Sequence, residues 1–419
     1  LTPSPSTRRA LIGALVLAAT LLAAAWLVTS PQAGWPAKLA ARPTALKPRP
    51  TPEPLVPTPL PSFRPTATPR MPDIAIATST AAPTPPIATH VAVPAAATAT
   101  SIAVPGATVR PDQLPEGSAA TRVGVALAIG KITDYDWGGA LPGWYLNWSV
   151  DPNPPQVAGT RFAQMVRLDG AGFHPALTVI RSTAKAHPGM LWLIGNEPDV
   201  AWQDNATPEQ YAVSYHTLQQ AIKEADPTAQ VAIGGVSQPT PLRMAYLDRI
   251  LAAYKADFGT DMPVDVWNVH AFILREERGS WGVGIPPGMT VDQGTLYEIG
   301  DHANMDIFRR QITDFRRWMA DRGLRDKPLI VTEYSILMPA SYGFPPDIVA
   351  SFLVDTFDFF LTARDPNIGY PQDDNRLVQA FNWFSAADKT YPTSNLFDPD
   401  TRAVTSVGET YRAYVSALR

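Results

Sequence analysis

The sequence predicts an α/β chain: a (β/α)8 (TIM) barrel preceded by a single N-terminal transmembrane helix and a disordered Pro-rich stalk. Three observations predict it. Short apolar runs alternate with amphipathic stretches after Ser118, a tract crowded with proline comes before them, and an uncharged apolar run lies near the N-terminus.

Taken in chain order, Arg8-Arg9 precede the uncharged run from Ala10 to Val28. At a rise of 1.5 Å per residue, that length just spans a hydrocarbon core of about 30 Å. The two arginines would stay cytoplasmic and send the rest of the chain outward. Residues 1–30 are therefore expected to be a cytoplasmic tip and membrane anchor, with the following head outside the cytoplasm on a single-pass anchor. A cleaved signal peptide is the alternative, because Ser30-Pro31-Gln32-Ala33 can follow a signal h-region. Residues 31–118 hold 20 of the 44 prolines and little hydrophobic periodicity. Such a segment buries too little apolar surface to offset its conformational entropy, so it is expected to be a linker with extended stretches such as Pro83-Thr84-Pro85-Pro86.

Residues 119–419 are the size of one α/β barrel. Strands are predicted at Arg122–Ala128, Trp144–Ser149, Phe162–Leu168, Leu191–Gly195, Val231–Val236, Val264–His270, Leu329–Tyr334 and Val378–Phe384. Several are continuously apolar, as strands buried on both faces are. Between them, Tyr211, Tyr215, Leu218 and Ile222 form a helical stripe, started by the capping box Thr207-Pro208-Glu209-Gln210. Phe308, Ile312, Phe315 and Met319 form another, stopped by Gly323. An open doubly wound sheet is the other architecture with this pattern, but no Gly-rich phosphate loop follows the first strand.

The net charge of -4 and the absence of any Lys/Arg-rich run argue against a nucleic-acid partner. With no cysteine, disulfide scaffolds and thiolate metal sites are excluded. No His/Cys cluster appears, so neither a metal nor a cofactor is expected. Asp373-Asp374-Asn375 and Asp398-Pro399-Asp400 read as solvated acidic turns.

Barrel active sites form at the C-terminal ends of the strands. The fourth predicted strand ends in Gly195-Asn196-Glu197-Pro198, the sixth in Asn268-Val269-His270, the seventh in Thr332-Glu333-Tyr334 and the eighth in Asn382-Trp383-Phe384. Two glutamates and an aromatic side chain thus converge on one face. That set suits glycoside cleavage, in which one carboxyl protonates the leaving oxygen and the other attacks the anomeric carbon from about 5–5.5 Å away. Trp137, Trp202 and Trp281 fall in predicted loops, where indoles can stack on sugar faces, and Trp137 beside Gly138-Gly139 is the favoured one.

Asn196-Glu197-Pro198 and Thr332-Glu333-Tyr334, with Trp383, resemble the signatures of glycoside hydrolase clan A over roughly 120–419. The resemblance implies a retaining (β/α)8 enzyme with Glu197 as acid/base and Glu333 as nucleophile. It also implies Asn196 on the sugar 2-hydroxyl and Trp383 stacked under the reacting sugar. His270 and Tyr334 would bind beside them, His270 standing where many clan members carry a tyrosine that orients the nucleophile. Within the clan, Trp144-Tyr145-Leu146-Asn147-Trp148 and Gly195-Asn196-Glu197-Pro198-Asp199 look most like the "glycosyl hydrolase catalytic core" group, which includes β-1,3-glucanases. The expected substrate is a β-linked poly- or oligosaccharide, the expected state a monomer, and the expected resting form one with Glu333 ionised and Glu197 protonated. A silent glycan-binding barrel and a transglycosylase remain the alternative functions.

Overall fold

The computed structural model describes residues 118–419. After a single turn α1 (Ala119–Arg122), the strands are β1 (Val123–Ala126), β2 (Trp144–Leu146), β3 (Arg161–Phe162), β4 (Gln164–Asp169), β5 (Gly172–His174), β6 (Leu191–Asn196), β7 (Gln230–Gly235), β8 (Trp267–His270), β9 (Leu329–Glu333) and β10 (Ala380–Trp383). The helices that follow α1 are α2 (Leu177–Ala186), α3 (Pro208–Ala225), α4 (Pro241–Phe258), α5 (Met305–Asp321), α6 (Pro346–Thr362) and α7 (Ser406–Ala417).

The pairings run round a ring. β1 pairs in parallel with β2 and β10, β2 with β3, β4 with β6, β6 with β7, β8 with β9 and β9 with β10. β3 and β4 are one stave broken only at Ala163, and the parallel bridges Ala232↔Val266 and Val236↔Val269 join β7 to β8. Eight parallel staves therefore close on themselves, and the eight predicted strands all fall on them. β5 stands outside the ring as an antiparallel hairpin partner of β4.

Alternation along the staves sorts side chains into two cores. Ala126, Leu146, Met165, Leu193, Ala232, Val266, Ile330 and Ala380 fill the inside. Val125, Tyr145, Val166, Ile194, Ile233, Val269, Val331 and Phe381 pack outward into the layer that holds the helix stripes. The predicted capping box is present: Thr207 Oγ1 accepts from the Gln210 N–H, and Gln210 reaches back to Thr207 N.

Two expectations change. Staves one and two are followed by no α-helix: 127–143 carries a single 3-10 turn at Ile132–Asp134, and 147–160 none. Gly130, Gly138, Gly139 and Gly143, with Pro142, Pro152, Pro154 and Pro155, break both segments before a helical stripe can form. The membrane location is also corrected. Among the described residues no helix is long and apolar enough to cross a membrane. The run 10–28 on which the anchor rested lies outside the described residues, as do the expected segment 1–30 and all of the expected segment 31–118 but Ser118.

Candidate active site

β6 delivers Asn196 and Glu197 to the end of the barrel where the staves finish. Gly195 takes φ +90° and Glu197 φ +45°, a left-handed turn that a non-glycine residue enters at a cost of about 1–3 kcal/mol. The turn is held because Glu197 N–H donates to Gly235 O at 2.9 Å on the next stave. Asp204, buried in the loop beyond, accepts from Asn196 N–H at 2.6 Å, from Leu168 N–H at 2.9 Å and from Arg167 Nε at 2.6 Å. One carboxylate thereby ties the end of the fourth stave to the third.

Below the turn lies a fully buried charge network. Asp199 accepts from Arg243 Nε at 2.8 Å and from Ser237 Oγ at 2.7 Å, and Arg243 Nη1 donates to Glu276 Oε1 at 2.5 Å. Burial pushes Asp199 up, Arg243 pulls it down, and the negative charge of Glu197 pushes it up again. Such a network is costly to break on one side, since removing a partner strands a buried charge.

Glu333 ends β9 and is 5 % exposed; Glu197 is 8 % exposed. Between them lies His270, the last residue of β8, wholly buried. Its Nδ1 is 3.0 Å from Glu197 Oε1 and its Nε2 is 3.6 Å from Glu333 Oε1. On the other side Trp148, at φ +57° just past β2, donates its indole N–H to Glu333 Oε1 at 2.6 Å. Burial raises Glu333 to about 7; His270 opposes the rise, Glu197 adds to it, and the Trp148 bond and Arg167 oppose it. For His270, burial works downward but loses to Glu333 and to the bond and charge of Glu197, so its value is raised. The expectation of a fully ionised Glu333 at neutral pH is therefore modified: a group titrating near 7 is only part ionised there.

Aromatic rings line the same mouth. Trp148 meets Phe384 edge-to-face at 5.9 Å, and Phe384 meets Phe272 at 6.2 Å. Asn268, one residue before Val269 on β8, accepts from Thr332 Oγ1 at 2.9 Å. Asn196 Oδ1 and Asn268 Nδ2 are buried and bond to no described protein group.

The structure thus brings together Asn196, Glu197, His270 and Glu333, and separates the three other expected residues from them. Trp383 points outward: it is fully buried, donates to Ser394 O at 2.8 Å and packs edge-on against Tyr334 at 5.5 Å. Stave alternation gives the mouth to Phe384 instead. Tyr334 lies in the same outer layer against Phe308 and Phe360. Trp137 is 4 % exposed, donates to Ile132 O and packs on Phe397, so it offers no face to a ligand. Trp202 is 53 % exposed and remains open.

Sequence reasoning missed Trp148, Arg167, Asp204 and Phe384 as site residues. Trp148 and Phe384 sit at predicted strand ends and were within reach of the same logic. Asp204 lies in a loop with no spacing signal. A separate cavity of about 280 Å³ lies at the opposite end of the barrel, where the staves begin, lined by Trp144, Arg161, Phe162 and Leu191.

Residues 127–282 match the family model described as "Glycosyl hydrolase catalytic core", a segment that includes Trp148, Asn196, Glu197 and His270 and stops before Glu333. The resemblance read from the motifs holds over that segment. No curated protein matches the chain. Solved structures similar to it include a GH128 (subgroup II) endo-β-1,3-glucanase from Sorangium cellulosum, 17% identical, TM-score 0.47, covering 70% of this chain and 98% of that one. Another is a GH128 (subgroup III) curdlan-specific exo-β-1,3-glucanase from Blastomyces gilchristii in complex with glucose, 18% identical, TM-score 0.47, covering 71% and 99%. A third is a GH128 (subgroup I) endo-β-1,3-glucanase from Amycolatopsis mediterranei in complex with laminaritriose, 19% identical, TM-score 0.44, covering 70% and 99%.

Proposed function

We propose that residues 119–419 form a retaining glycoside hydrolase acting on a β-linked glucan, with Glu197 as acid/base and Glu333 as nucleophile. One observation carries the reading: two buried glutamates end staves four and seven and meet on a single imidazole. Buried carboxyls without a task are expensive, and paired ones with divergent surroundings mark acid–base work.

In the first step Glu333 Oε attacks the anomeric carbon while the glycosidic bond breaks and Glu197 gives its proton to the departing oxygen. In the second, Glu197 takes a proton from water, the water oxygen bonds the anomeric carbon, and Glu333 leaves as carboxylate. Trp148 already bonds the attacking carboxylate and fixes its orientation. Asn196 Oδ1 and Asn268 Nδ2 offer an acceptor and a donor to sugar hydroxyls, while Trp148, Phe384 and Phe272 supply an apolar surface for the ring. The β-glucan assignment rests on the strand-two and strand-four motifs, which resemble a group that includes β-1,3-glucanases.

NMR of the first-formed product tests the reading. Retention of anomeric configuration is expected, and inversion would show the wrong pair or the wrong mechanism. Glu333→Ala is expected to lose turnover and accept azide with inversion. Glu197→Ala is expected to keep activity on dinitrophenyl glycosides, whose leaving group needs no proton; azide rescue of Glu197→Ala with inversion would reverse the two roles.

A further inference from the structure

His270 occupies a seat cut to its shape. Its N–H donates to Val236 O at 2.8 Å, Phe272 stands edge-on at 6.0 Å, and Gly235 backs the ring. A Cβ at Gly235 would lie 2.5 Å from His270 Cδ2 and 2.8 Å from Nε2, so only glycine leaves room there. In that seat the two ring nitrogens face the two carboxylates unequally: 3.0 Å to Glu197 is a hydrogen bond, whereas 3.6 Å to Glu333 is ion-pair reach.

We propose that His270 is a positioning residue that shares one proton with Glu197 through Nδ1 and turns its Nε2–H toward Glu333. The inference rests on the catalytic assignment of Glu197 and Glu333. A hydrogen bond at 3.0 Å between Nδ1 and a carboxyl oxygen must contain a proton. Either the Glu197 carboxyl donates to a neutral ring, or an imidazolium donates to a Glu197 carboxylate. Both forms hold the same number of protons and differ only in where one sits along a single bond. In both, Nε2 carries hydrogen and favours a charged Glu333. The other tautomer would set a bare Nε2 lone pair against Glu333 and is favoured only when Glu333 is protonated.

The charged groups around the ring all push the same way. Glu197 at the end of β6, Asp199 in the turn after it and Glu333 at the end of β9 are acidic, while Gly235 of β7 and Phe272 bring no charge. Arg167 works with His270 in favouring the charged form of Glu333. One imidazole thus keeps the acid/base supplied with a proton and favours the charged form of the nucleophile against its burial. When Glu197 passes its proton to the leaving oxygen, Glu333 becomes an ester and loses its charge. His270 then stays neutral, and with Glu333 uncharged its one ring proton is favoured on Nδ1, where it holds the Glu197 carboxylate until water reprotonates that group and the proton returns to Nε2. No proton is gained or lost over the cycle apart from those of the added water.

Two readouts test this on the full-length chain. Ring nitrogens are followed by NMR in protein carrying 15N-histidine, with His270 assigned by its loss in His270→Gln. The His270 midpoint is expected to fall in both Glu197→Gln and Glu333→Gln, because each removes a negative charge facing the ring; a midpoint unmoved in either overturns the inference. In the kcat/KM pH profile, His270→Gln is expected to narrow the bell from both sides by about one pH unit. The acidic limb rises because Glu333 loses the N–H facing it, and the basic limb falls because the proton on the Nδ1–Oε1 hydrogen bond loses one of its two seats. A lower rate with both limbs unmoved makes His270 a packing residue and overturns the inference while leaving the catalytic pair intact. If His270→Gln does not fold, the two glutamine variants decide by NMR. A wild-type chain that turns over no glycoside removes the assignment of Glu197 and Glu333, and this inference with it.

Discussion

Glu333 is buried, bonded to Trp148 and faced by His270, and these surroundings make conflicting demands on its charge. Burial wins, and its value rises to about 7 from the ordinary 4.5. In an unfolded chain the group ionises near its ordinary value, so between about pH 4.5 and 7 the folded state holds the extra proton. Its contribution therefore favours the fold at low pH and is lost as pH rises through that window. Glu333→Gln is expected to raise Tm at pH 8 relative to wild type and to leave it unchanged at pH 4; equal shifts at both pH values would count against the titration. Trp148→Phe keeps the ring and removes the N–H donor. Turnover at neutral pH is expected to fall roughly 10- to 100-fold, the worth of a hydrogen bond to a charged group. The acidic limb should move to higher pH, and a rise in KM alone would instead mark Trp148 as a sugar platform.

At the scale of the element, β10 shows how much a strand can hide. Its existence was legible, because Ala380, Phe381, Trp383 and Phe384 make an apolar run broken only by Asn382, close to what a two-sided stave needs. Which neighbour faces the mouth was not. Trp383 and Phe384 are adjacent and bulky, and a one-residue change of register exchanges their faces. The register that pairs Val125 with Trp383 sends Trp383 to the helix layer. Trp383→Ala is accordingly expected to cost about 3–5 kcal/mol of stability by opening a cavity. The surviving folded fraction should keep near-normal kcat. Phe384→Ala should do the reverse, raising KM with a small change in Tm, and calorimetry beside kinetics on both variants separates the two. The same alternation explains Tyr334, which follows Glu333 and faces the other way.

Across the whole molecule, the eight staves and the two glutamates were readable because burial on both faces and position at a strand end leave marks in local sequence. What sequence could not supply depends on distant packing. Asp204 ties staves three and four from a loop, and Arg243 meets Asp199 and Glu276 from separate segments. The absence of helices after staves one and two follows from glycines and prolines that were visible but outweighed by the expectation of a repeating unit. Arg243→Met strands Asp199 and Glu276 in the interior. It is expected to destabilise by about 3–5 kcal/mol and to disturb Glu197 through the turn above, read as a lower Tm together with reduced turnover.

Cleavage of a β-glucosidic bond by the proposed pair Glu197 and Glu333 is read out by reducing-end release. Purified wild type, Glu197→Gln and Glu333→Gln would be compared on a panel of β-glucans, mannans, xylans and galactans. Release from a β-glucan by wild type is expected, with Glu197→Gln reduced about 10²–10⁴-fold, the range for losing a general acid–base, and Glu333→Gln silent. Release from no member of the panel, or release undiminished in Glu333→Gln, would contradict it.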